Sequence, residues 1–135
     1  MNSLFEIKED VVLEDVQKLH PAIWIIFTAA LLYCKRNNLT CRITSLINDR
    51  GSLGRKVRSR THGDGRAIDL GIRAEDGWTD THVQRLCHKL NTDYSDIAAI
   101  SASDYQPRSA IPKPDHIHLQ CRNVSMEELN KFIKE

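Results

Sequence analysis

The segment His116-Ile117-His118-Leu119-Gln120-Cys121 alternates polar and apolar residues, and its reading as a strand decides the kind of fold this chain adopts. Successive side chains of a strand point to opposite faces, so His116 and His118 project one way while Ile117 and Leu119 project the other. A second segment, Arg66-Ala67-Ile68-Asp69-Leu70-Gly71-Ile72, has the same property: Ala67 and Asp69 share a face opposite Ile68 and Leu70. In one sheet, two such strands turn their apolar residues toward a core and set Asp69, His116 and His118 toward a common cleft. Residues 40–47 alternate and are rich in β-branched side chains, and residues 97–100 are apolar; both are expected to be strands as well.

Helices surround these strands. Val12, Leu13, Val16 and Leu19 recur at helical spacing over residues 9–19, and Pro21 interrupts that pattern while suiting the first turn of a second helix. The interior of this second helix (Ile23, Trp24, Ile26, Phe27, Ala30, Leu31) is apolar nearly all round, and Asn37-Asn38 closes it. Thr79 is expected to cap a third helix in which Val83, Leu86, Cys87 and Leu90 share one face. Ser125-Met126-Glu127-Glu128 forms a capping box, with Val124 and Leu129 as a hydrophobic staple, ahead of a last helix burying Leu129, Phe132 and Ile133. No internal repeat is visible. Residues 1–135 are expected to form one domain of the α+β class, a small, mainly antiparallel sheet with packed helices.

Two segments lack a regular pattern. Residues 48–65 carry Gly51, Gly54, Gly63 and Gly65 with Arg50, Arg55, Lys56, Arg58 and Arg60 between them, and residues 103–114 carry Pro107, Pro112 and Pro114. Long loops within a small domain are commonly functional.

Bulk composition removes several function classes. With 41% hydrophobic and 27% charged residues the chain is expected to be soluble and globular, and a net charge of +1 gives no global attraction to nucleic acid or anionic lipid. The basic residues of 50–60 are not interleaved with aromatics for base stacking, so no nucleic-acid partner is expected. The most apolar stretch, 22–34, falls short of the roughly 20 residues a membrane span needs, so no membrane insertion is expected. The first ten residues carry Glu6, Glu9 and Asp10 instead of a basic segment followed by an apolar one, which is not a secretory signal. A cytoplasmic start is therefore expected, with Cys34, Cys41, Cys87 and Cys121 reduced and none in a C-x-x-C pair.

Metal-ligand chemistry concentrates in two blocks, His62 to Asp69 with six residues between them, and Asp115-His116-Ile117-His118. Imidazole nitrogen and carboxylate oxygen both suit zinc, and a catalytic zinc site offers three protein ligands with a position left for water. Gly65 and Ala67 are small, as expected where backbone passes close to a metal or ligand. His20, His82 and His88 are expected to be surface or helix residues with no role.

Together, His62-x-x-Gly65-x-Ala67-x-Asp69 and the downstream Asp115-x-x-His118 resemble the zinc peptidases of the M15 family. These are D-alanyl-D-alanine carboxypeptidases and dipeptidases and phage L-alanyl-D-glutamate endopeptidases. The wider group, with lysostaphin-type enzymes and the hedgehog domain, shares His-x6-Asp and His-x-His. The resemblance implies a hedgehog/DD-peptidase-like site in which His62, Asp69 and His118 hold one zinc ion. Asp115 falls on the catalytic carboxylate, expected to act as general base, and His116 on the first position of His-x-His, from which it can donate to an oxyanion. The family's Ser-Gly-Tyr-Arg stretch after the first strand is replaced here by Thr44-Ser45-Leu46-Ile47-Asn48-Asp49-Arg50. Arg50, Arg55 or Arg66 is expected to hold a substrate carboxylate in its stead.

The function implied is hydrolysis of a peptide bond in peptidoglycan stem peptides by a monomer, as endopeptidase or carboxypeptidase. A phage enzyme of this type would be made in the host cytosol and reach the wall through a holin. The alternative is a non-catalytic zinc-binding module, or a phage structural protein, that keeps the fold.

Overall fold

In the computed structural model, which describes residues 5–7, 13–46, 65–102 and 116–134, the two alternating segments lie side by side at the centre of a sheet. The strands are β1 (Glu6–Ile7), β2 (Arg42–Ser45), β3 (Ala67–Gly71), β4 (Ala98–Ala102) and β5 (His116–Cys121). They are ordered β1-β2-β3-β5-β4 across five strands. Only the β1–β2 pairing is parallel; β2–β3, β3–β5 and β4–β5 are antiparallel. Three α-helices are seen among the described residues, α1 (Pro21–Arg36), α2 (Asp80–Asp93) and α3 (Met126–Lys134), with 3-10 turns at Leu13–Lys18 and Ala74–Asp76. The chain thus has the α+β architecture expected of it, with a mainly antiparallel sheet.

One face of the sheet makes the core. Ile68 and Leu70 of β3 and Ile117 and Leu119 of β5 are wholly buried, against Ile23, Ile26 and Phe27 of α1 and Leu86 and Leu90 of α2. Burying each such side chain contributes roughly 1.5–3 kcal/mol. The sheet's other face is left for His116, His118 and Gln120, which are half-buried and alternate with those core residues along β5.

The helix starts are secured by side chains. Thr79 caps α2 by accepting the His82 N–H at 3.2 Å. At α3 the expected capping box closes both ways: the Ser125 hydroxyl accepts the Glu128 N–H at 3.1 Å, and the Glu128 carboxylate accepts the Ser125 N–H at 3.3 Å. The staple residues Val124 and Leu129 are both buried. His20, expected to have no role, is instead the N-cap of α1. Its Nδ1 accepts the Ala22 N–H at 3.1 Å, which leaves Nε2 to donate to the Val124 carbonyl at 3.0 Å. One imidazole therefore ties the start of α1 to the chain just before α3.

Other departures have physical causes. Of the helical spacing over 9–19, residues 9–12 lie outside the described residues and Leu13–Lys18 form a short 3-10 helix, after which the chain turns into α1 and the His20 N–H donates to the Gly65 carbonyl. Trp24 and Leu32 are 36% and 47% exposed, since only one side of α1 meets the sheet. Ile133 is 61% exposed; α3 packs through Leu129, and its outer face is left to solvent. The side chain of Phe132 lies outside the described residues, as do the segments 48–64 and 103–114. None of the four cysteines forms a disulfide. A hydrogen bond with Cys34 and burial together push the Cys41 thiol far up from its ordinary value. No described helix is long and apolar enough to cross a membrane.

Candidate metal centre

Strand register brings the candidate residues together. In the β3–β5 ladder Asp69 pairs with His118, Gly71 with His116 and Ala67 with Gln120, so all six lie on one face. Opposite Asp69 on its other side, β2 carries an irregularity: Ile43 pairs with Leu70 but Ser45 with Asp69, so two steps on β2 match one on β3. Bulges of this kind re-aim side chains and are frequent beside functional sites. The Thr44 hydroxyl donates to the Asp69 carbonyl at 3.3 Å within this bulge.

Asp69 is the one buried charged side chain among the described residues, 2% exposed. A carboxylate taken out of water needs compensation from charge or hydrogen bonds. It has it: His118 Nδ1 stands 2.8 Å from Asp69 Oδ1, and His116 Nε2 stands 4.0 Å from Asp69 Oδ2. The other nitrogen of His118, Nε2, lies 2.8 Å from Gln120 Oε1.

These contacts give His118 an acceptor on each side. A neutral imidazole has one N–H and can satisfy one of them. Both are satisfied if the ring carries two protons, or if a cation sits on Nδ1 and is shared with Asp69. The residues present therefore fit a metal ion: a buried carboxylate and an imidazole nitrogen converge, with a second imidazole on the same face. Among the described residues no three His, Cys, Asp or Glu side chains are grouped to hold a metal. The expected third ligand, His62, lies outside the described residues, as do Asp115, Arg50 and Arg55.

Arg66 is described, and it is tied into the sheet. Its Nη1 donates to the Cys121 carbonyl at 3.1 Å, and its own carbonyl accepts the Cys121 N–H at 2.9 Å. By alternation it falls with Ile68 and Leu70, away from the face of Asp69, where a substrate carboxylate would be held. Gly65 was expected to be small for the sake of a metal or ligand, and the reason proves different. Its φ is +72°, and a Cβ there would collide with the carbonyl oxygen of Lys18. The close approach is of backbone to backbone, at the turn that delivers the chain into β3.

Gln120 is the site residue that sequence reasoning passed over. The signal was available: it stands two residues beyond His118 on the same strand, on the same face by the same alternation. The bulge opposite Asp69 carries no comparable mark in the sequence.

No family model, curated protein or solved structure matches the chain.

Proposed function

We propose that this chain is a zinc-dependent peptidase acting on peptidoglycan stem peptides, with His62, Asp69 and His118 as the metal ligands. The observation that supports this reading is the buried Asp69 carboxylate facing His118 Nδ1 at 2.8 Å across β3 and β5. It joins the two sequence blocks that carry His62-x6-Asp69 and Asp115-x-x-His118.

Held by these residues, zinc would supply Lewis acidity toward a carbonyl oxygen and toward the attacking water. Asp69 contributes an anionic oxygen already stripped of solvent, so little reorganisation accompanies metal binding. Asp115, three residues before His118, takes the proton from the attacking water and returns it to the leaving amine. His116 shares the face of His118 and donates to the carbonyl oxygen as negative charge grows on it. Arg50 or Arg55 holds a carboxylate of the stem peptide. An enzyme of this kind encoded by a phage is made in the host cytosol and reaches the wall after a holin opens the membrane.

The test is mass spectrometry of fragments released from purified peptidoglycan, with and without a chelator. Release that the chelator stops is expected, and the fragment masses name the bond cut. His118→Ala is expected to lose both metal and activity, whereas Asp115→Ala keeps zinc and loses hydrolysis. A zinc-loaded protein that releases nothing would replace this reading with that of a non-catalytic zinc-binding module.

A further inference from the structure

We infer that Gln120 is a positioning residue that presents His118 Nδ1, and not Nε2, to the metal. This rests on the reading of Asp69 and His118 as ligands. Gln120 Oε1 lies 2.8 Å from His118 Nε2, while Asp69 Oδ1 lies 2.8 Å from Nδ1, on the opposite edge of the ring. An amide oxygen is an acceptor only, so with a cation on Nδ1 it receives the ring's one remaining proton at Nε2. The conflict of two acceptors around one imidazole then ends when a cation takes Nδ1.

The surroundings of Gln120 direct its amide along the strand. Its register partners are Ala67 on β3 and Ala99 on β4, neither of them a polar residue type. His118, two residues back on the same face, is the partner within reach. Hydrogen bonds from the far nitrogen of a metal-bound histidine are the usual means of fixing its tautomer and ring orientation, and their loss costs roughly 10–100-fold in metal affinity. A neutral amide in this place fixes the ring without adding charge to the site.

Two measurements test the inference, neither of them activity. Zinc affinity, read by competition with a chromophoric chelator, is expected to fall about 10–100-fold in Gln120→Leu and to recover in Gln120→Glu, which restores an acceptor. Nitrogen NMR of histidine-labelled, zinc-loaded protein is expected to show His118 protonated at Nε2 and metal-bound at Nδ1. Thermal unfolding of the metal-free variants is expected to match the wild type, because Gln120 is half-buried on the site face. Wild-type zinc affinity in Gln120→Leu overturns the inference and leaves the zinc site standing. So does a His118 ring protonated at Nδ1 with the amide nitrogen turned toward it. Zinc binding that His118→Ala does not weaken overturns the metal-site reading itself, and this inference with it.

Discussion

Asp69 and His118 are directly paired residues of β3 and β5, with Oδ1 and Nδ1 2.8 Å apart, although 49 positions separate them in the chain. Because the side-chain period of a strand is two, a slip of one residue in this ladder would send Asp69 and His118 to opposite faces. The packing of Ile68, Leu70, Ile117 and Leu119 therefore holds the register on which the site depends.

Asp69→Asn keeps the shape of the side chain and removes its charge. Zinc affinity is expected to fall by more than the roughly 10–100-fold typical of partners that only support a ligand. Isothermal titration of the wild type and the variant checks this, and equal affinities would remove Asp69 from the ligand set.

Gly65→Ala is expected to destabilise the fold by about 1–3 kcal/mol, the usual cost of forcing an L-residue into a sparsely populated backbone region, with the Lys18 clash added. Urea unfolding measures it. A variant as stable as the wild type would mean that the turn before β3 relaxes freely.

His20→Ala removes the cap of α1 and the link to Val124 together. A loss of about 0.5–2 kcal/mol is expected for the cap alone. His20→Asn, which can still cap but cannot reach Val124, is expected to recover only part of it. Full recovery in His20→Asn would leave the Val124 link with no energetic weight.

Burial pushes the Cys121 thiol up to about 11, against a smaller opposing effect of Arg66. An unfolded thiol titrates at its ordinary value, so between about pH 9 and 11 the unfolded chain has released a proton that the folded chain keeps. Stability from this group is complete below that window and is lost as the pH rises through it. Urea midpoints at intervals from pH 8 to 11 are expected to decline more steeply for the wild type than for Cys121→Ala. Parallel curves would assign the decline to other groups.

Much of the fold was legible because its signals are local. The alternation of β3 and β5, the Thr79 cap and the Ser125–Glu128 box each depend on residues within a few positions of one another, and each stands where the sequence put it. What was not legible depends on contacts across the chain. His20 acquires its role from Val124, 104 positions away, and Gly65 from the backbone of Lys18. The exposure of Trp24 and Ile133 follows from which sides of α1 and α3 are turned to the core, which helical spacing does not encode. At the site, the spacing of the two blocks suggested the convergence of Asp69, His116 and His118. The pairing of His118 with Gln120 was hidden only because glutamine is not counted among metal-ligand residues.

The division of labour along β5 also separates two kinds of inheritance. Its odd-numbered side chains, Ile117, Leu119 and Cys121, belong to the core, and its even-numbered ones, His116, His118 and Gln120, belong to the site. The odd set fills the core, whereas His116 and His118 of the even set face the buried Asp69 carboxylate and compensate its charge. A change at 117 or 119 is thus answered by the packing of the core, and a change at 116 or 118 by the charge left on Asp69 across the ladder.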